Sequence, residues 1–128
     1  MAERFMRLMV FFDLPVNTKQ RRKEYSRFRK SLINDGFMML QYSVYVRLTR
    51  NHDDAQKHLR IVEANLPPAG SVRAMIVTEK QYTQMKLLCG AQMKDEHFLT
   101  QKIFLRYNLV EQMLSKPQDP QHLAVLVL

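Results

Sequence analysis

Apolar positions along this chain fall into blocks whose spacing switches between two periods, and the switches predict its elements. Leu8 to Phe12 is unbroken apolar sequence that stops at Asp13. Both alternating sets are apolar, Leu8/Val10/Phe12 and Met9/Phe11, so the stretch reads as a strand buried on both faces. Leu14 precedes Pro15 and is biased to extended backbone, which ends the strand in a turn. Asn17 or Thr18 then caps a helix, with Gln20 three residues after Asn17 in a box-like arrangement. The helix runs to about Asp35, and Gly36 closes it as a left-handed cap. Its apolar stripe is Tyr25, Phe28 and Leu32, one helical face.

Phe37 to Leu48, FMMLQYSVYVRL, is aromatic and β-branched but longer than a typical strand of about 5–6 residues. It divides near Gln41 to Ser43 into two short strands, or forms one long bent strand. Asn51 caps a second helix, with Asp54 at its third position. Ala55, Leu59, Val62 and Leu66 recur at helical spacing and predict its buried side. Pro67, Pro68 and Gly70 end it. Val72 to Thr78 is another strand, and Glu79 to Leu88 fits a helical turn or two. Farther on, Leu99, Ile103, Tyr107, Val110 and Leu114 make a helical stripe, although KIFLRYNLV within it reads equally as a strand. Lys116 to Gln121 is a linker. The chain closes on LAVLVL, Leu123 to Leu128, an apolar strand that needs a sheet edge to pair with.

The order β-α-β-β-α-β is the ferredoxin-like arrangement of the α+β class. Residues 1–90 form that unit, and 91–128 extend it within the same domain with a terminal strand. Both helices of this plan cover one sheet face, while the strands are apolar on both. The second face needs cover from a two-fold homodimer or from a tail helix folded beneath it.

Charge changes the picture next. The 128 residues carry 20 Lys and Arg against 12 Asp and Glu, a net charge of +8, which points to a polyanionic partner. The excess concentrates in the first helix. Seven bases and one acid, Glu24, lie between Lys19 and Lys30. Lys19, Lys23, Arg27 and Lys30 sit opposite the apolar stripe, with Arg22 and Arg29 on its flanks. Solvated helix faces usually mix signs, and this one fits a phosphate-contacting surface. A single cysteine, Cys89, excludes an intrachain disulfide and suits a reducing cytoplasm. No apolar run approaches the roughly 20 residues of a membrane span.

Several chemistries lack their residues. His52, His58, His97 and His122 have no metal-site spacing with Cys89 or each other. Three glycines form no phosphate loop, and no catalytic-triad signature is present. The methionines fall mainly in strand-like segments, as core packing. Tyr42 and Tyr45 could stack on bases, but their pattern predicts that they pack in the sheet. Asp13 remains, a carboxylate at the mouth of a buried strand, where it either caps the turn or holds a cation. One carboxylate is a poor Mg²⁺ site. Two Asp13 side chains brought together across a two-fold axis would meet the ion's need for oxygen ligands, and the metal would activate water for phosphodiester hydrolysis.

The ordered set FFDLP, TKQRRKEYSRFRKSLINDGF, MLQYSVYVRL and LPPAGSVRAMIVTEKQY resembles the CRISPR-associated protein Cas-two family, of the type II kind, from Met6 to about Gly90. The resemblance implies a ferredoxin-like homodimer whose C-terminal strand pairs with the partner's sheet, here through Leu123, Val125 and Val127. It implies a role in spacer acquisition, where the dimer spans captured double-stranded DNA between copies of the Cas-one integrase. It also implies metal-dependent cleavage of RNA or DNA, with Asp13 as the catalytic and metal-binding residue. Two features depart from the family pattern. Phe12 and Leu14 flank Asp13 where many relatives carry a second polar residue, and Lys94 to Gln121 resembles an insertion. The sequence thus supports first a DNA-binding scaffold for the integrase, and as its alternative a Mg²⁺-dependent endonuclease built on paired Asp13.

Overall fold

The computed structural model describes residues 4–90 and Leu109. The chain divides into two units, Met1–Ala91 and Gln92–Leu128, and the sheet with its helices belongs to the first. The helical stripe from Leu99 to Leu114, apart from Leu109, and the terminal strand with Leu123, Val125 and Val127 lie outside the described residues.

Four strands and three helices alternate as β1 (Met6–Asp13), α1 (Lys19–Asn34), β2 (Met38–Gln41), β3 (Val44–Thr49), α2 (His52–Ala64), β4 (Ser71–Thr78) and α3 (Glu79–Thr83). The sheet order is β2-β3-β1-β4, and every neighbouring pair is antiparallel. That is the ferredoxin-like topology the sequence predicts. β1 lies inside the sheet, paired with β3 on one side and β4 on the other, which explains its apolar run: Leu8, Met9, Val10 and Phe12 are all buried.

Strand alternation sends Leu8, Val10 and Phe12 to the face covered by α1 and α2. There they join Phe28 and Leu32 of α1, Val62 of α2, and Phe37 and Tyr45 in one core. Phe12 is its aromatic hub, edge-on to Phe28 at 5.3 Å and stacked on Tyr45 at 5.5 Å between ring centroids. Arg7, Met9, Phe11 and Asp13 belong to the opposite face. Arg7 is only 1% exposed there. Its guanidinium pairs with both oxygens of Glu79, at 2.6 and 2.9 Å, and lies 4.2 Å over the Tyr82 ring. A buried charge needs such pairing, and α3 provides it.

Local signals explain the boundaries. Thr18, not Asn17, caps α1 by accepting the Arg21 N–H at 3.1 Å, and Gly36 follows the Asp35 C-cap at φ 93°. Asn51 caps α2 through the Asp54 N–H at 2.8 Å. The apolar periodicity overruns this second helix: α2 ends at Ala64, and Leu66, expected on its buried side, is 50% exposed. The methionines divide likewise. Met9 is buried, whereas Met75 and Met85 are exposed, one on the edge strand β4 and one beyond α3. No helix among the described residues is long and apolar enough to cross a membrane.

Candidate nucleic-acid interface

Asp13 is the last residue of β1 and pairs with Ser71 at the start of β4. Its backbone is fixed from both sides. Phe12 donates its N–H to the Ser43 carbonyl at 3.0 Å, which ties the β2–β3 turn to this end of the sheet. On the other side Gly70 presses against it. A Cβ at Gly70 would stand 2.6 Å from the Asp13 carbonyl oxygen and 2.7 Å from Leu14 Cδ2, and the Gly70 φ is +93°. Contact and backbone together therefore require glycine there. The sequence shows Gly70 only as a helix terminator; its packing role has no local signal.

The Asp13 side chain is exposed, and no described residue bonds to its carboxylate. Its role is therefore not that of a turn cap satisfied by neighbouring backbone. Among the described residues no three His, Cys, Asp or Glu side chains gather in a metal-holding group.

Only the short link from Leu14 to Thr18 separates Asp13 from α1, so the first turns of that helix stand at the same end of the sheet. Lys19, Arg22, Lys23, Arg27, Arg29 and Lys30 are all exposed. They are not equivalent. Arg29 Nε donates to the Tyr45 hydroxyl at 2.7 Å, and Arg22 donates to the Val16 carbonyl at 3.2 Å. Arg21 is neutralised by Glu24 at 2.9 Å. Lys19, Lys23, Arg27 and Lys30 make no ion pair among the described residues and form the uncompensated positive face.

The β2–β3 turn overturns one expectation. Tyr45 packs in the sheet, 1% exposed, but Tyr42 does not: it is 80% exposed. The register shifts between Met39 and Gln41, and Ser43 takes φ 65°. Those irregularities break the alternation that would have turned Tyr42 into the sheet. Tyr42 instead lies beside Tyr25 of α1. Burial pushes the Tyr25 phenol up, and the nearby Tyr42 and Tyr45 phenols add to the shift against the opposing pull of Arg29. Tyr25 packs in turn edge-on to Phe12 at 5.9 Å.

A second cluster, distant from Asp13, also escapes sequence reading. His58 of α2 is buried, with Nδ1 at 2.8 Å from Asp35 Oδ2 at the end of α1 and Nε2 at 3.5 Å from Asp54 Oδ1. Arg47 Nε donates to the Asp35 carbonyl at 2.6 Å. The group joins the two helices and β3, a structural tie.

Residues 6–85 match the family model described as CRISPR associated protein Cas2. Three bacterial relatives carry the name CRISPR-associated endoribonuclease Cas2. That of Ligilactobacillus salivarius is 52% identical over 90 residues, covering 70% of this chain and 89% of the relative. That of Acidovorax ebreus is 55% identical over 85 residues, 66% of this chain and 83% of the relative. That of Campylobacter jejuni is 44% identical over 88 residues, 69% and 62%. All three alignments leave a similar share of this chain unmatched, and the family match stops at residue 85, near the end of the first unit.

Proposed function

The chain belongs to the CRISPR associated protein Cas2 family, and on that footing we propose that it is a metal-dependent endoribonuclease acting through Asp13. The carrying observation is a carboxylate with no bonding partner among the described residues, held on fixed backbone at the end of an inner strand and next to a helix face of one sign. The relatives' shared name, endoribonuclease, supports the same reading. Among the described residues Asp13 belongs to no group of three metal-binding side chains, so the reading includes a homodimer in which two Asp13 side chains converge on Mg²⁺. Bound there, the metal would lower the pKa of a coordinated water and stabilise charge on the phosphate. The chain's own residues have separate tasks. Lys19, Lys23, Arg27 and Lys30 concentrate the polyanion and neutralise its phosphates. Gly70 and the Phe12–Ser43 bond fix where the Asp13 backbone ends.

The test is Asp13→Asn, assayed with Mg²⁺ on single-stranded RNA and on duplex DNA. The substitution keeps size and removes charge at an exposed strand end, so melting temperature and sedimentation stay at the wild-type values. Cleavage falls at least about 100-fold, the order expected when a charged group at the reaction centre is lost. Undiminished cleavage by the variant would remove Asp13 from the chemistry.

The positive face of α1 favours a second reading: a cytoplasmic scaffold that holds duplex DNA for the Cas-one integrase during spacer acquisition. Under it Asp13→Asn supports partner-dependent integration at the wild-type level while any cleavage disappears. Integration lost in a folded, dimeric variant would move Asp13 into the reaction itself. In both readings Leu123, Val125 and Val127 pair with the second copy's sheet, so deleting residues after Gln121 dissociates the dimer in sedimentation.

A further inference from the structure

We infer that Tyr42 is a stacking platform for an unpaired base of a single-stranded nucleic acid, presented by the β2–β3 turn at the Asp13 end of the sheet.

Large aromatic side chains are normally buried for the area they remove from water. Tyr42 is 80% exposed, in a domain whose other described tyrosines are buried or half-buried. Its position is held from several sides. Ser43 occupies the left-handed region at φ 65°, a conformation a serine adopts at a cost. The carbonyl of that same Ser43 accepts the Phe12 N–H, which anchors the turn beside Asp13. Gln41 and Val44, the residues on either side of the turn, pair with each other and close it. A ring carried on so fixed a backbone needs little ordering beyond its own side-chain rotation when a base covers it, which is what a stacking surface requires.

The surroundings favour nucleic acid over other flat ligands. Arg29, one helical turn after Tyr25, is exposed and held by the Tyr45 hydroxyl, and Lys19, Arg22 and Lys23 lie toward the start of the same helix. Stacking surface and phosphate-binding charges therefore share one end of the fold, the composition of a single-strand groove. A duplex keeps its bases stacked inside and offers this ring nothing comparable. Tyr42 would thus give the protein a preference for unpaired strand, which charge alone does not confer.

The inference rests on the nucleic-acid reading, and the experiment separates the two. The full-length protein is titrated with a 20-nucleotide RNA carrying one 2-aminopurine and, separately, with a blunt duplex DNA of 20 base pairs, without Mg²⁺. Tyr42→Ala weakens RNA binding about 5- to 50-fold and abolishes the protein-induced change in 2-aminopurine fluorescence. Duplex affinity stays within twofold of wild type, and the slope of log affinity against log salt does not change for either ligand. Tyr42→Phe retains the ring and binds as wild type. Equal RNA affinity for wild type and Tyr42→Ala overturns the stacking role while leaving phosphate binding intact, as does an equal loss on the duplex. A wild-type protein that binds neither ligand overturns both readings.

Discussion

α1 and α2 do the same structural job with opposite electrical designs. Both lie on one face of the sheet, and each is anchored by two or three buried residues: Phe28 and Leu32 in α1, Ala55, His58 and Val62 in α2. The residues facing solvent differ. α2 carries Asp53 and Asp54 in its first turn, where the helix dipole favours negative charge, and mixes Lys57 and Arg60 with Glu63 farther along. α1 has no acid in its first turn and places Lys19, Arg21 and Arg22 there instead. Like charges three and four residues apart, set against the positive end of the dipole, weaken a helix. A helix required only to cover the sheet would gain by resembling α2. The contrast teaches that covering the sheet does not account for the surface of α1, and the polyanion of the proposed function would be such a further requirement.

The contrast breaks most sharply at the helix faces. Lys23→Ala combined with Arg27→Ala in α1 should weaken binding to unrelated duplex sequences alike. With each phosphate contact worth roughly 0.9 in the salt slope, losing two lowers the slope by about 1.8 and affinity by about 30-fold at 0.15 M salt. Lys57→Ala combined with Arg60→Ala removes the same number of exposed charges from α2 and should leave affinity within about threefold. Fluorescence anisotropy across a salt series measures both. A matching loss from the two helices would mean that net charge, rather than the face of α1, attracts the ligand.

A smaller effect tests the tie between the helices. Asp35→Ala removes the bond to His58 Nδ1 and leaves that buried nitrogen with only water to seek. An orphaned buried polar group costs on the order of 1 kcal/mol or more, so the denaturant midpoint falls while the slope of the transition is kept. Nucleic-acid affinity should stay unchanged, because the pair lies at the end of α1 remote from Asp13. An affinity change would show that the orientation of α1 is transmitted through its C-terminus.

Sequence reading succeeds where the signal is local. The apolar run of β1, the caps Asn51 and Gly36, the stripe Phe28/Leu32 and the break between β2 and β3 all lie within a few residues of what determines them. It fails where structure depends on distant residues or on an interrupted period. Asp35 and His58 are 23 residues apart, and only the folded chain brings them to 2.8 Å. Arg7 and Glu79, 72 residues apart, pair for the same reason. Alternation places Tyr42 in the sheet only if it runs unbroken through the turn, and a bulge and a left-handed serine interrupt it. At the candidate site, Asp13 and the basic face are legible from strand end and charge pattern. Gly70 is not, since its requirement arises from contact with the end of β1, a strand laid down before either of the first two helices.

The smallest expected effect asks most directly whether α1 gives up stability for charge. Lys19 is the first residue of α1, immediately after the Thr18 cap, and Asp53 is the second residue of α2, inside the Asn51 cap. Both are exposed, so either can be changed without disturbing the core. Lys19→Glu replaces a base with an acid at the positive end of the dipole and relieves repulsion with Lys23 at i+4. Interactions of this kind are worth about 0.3–1 kcal/mol at low salt, which raises the melting temperature by roughly 1–4 °C in a domain of this size. The same variant should bind RNA less tightly, having lost one positive charge and gained a negative one. Asp53→Lys, the reverse change in α2, should lower the melting temperature by a similar amount with no loss of RNA affinity. Both shifts should shrink by more than half in about 0.5 M salt, where the screening length falls well below roughly 10 Å. A Lys19→Glu protein that melts lower than wild type would show that α1 is already optimal for stability, and the functional reading of its charge would then lose this support.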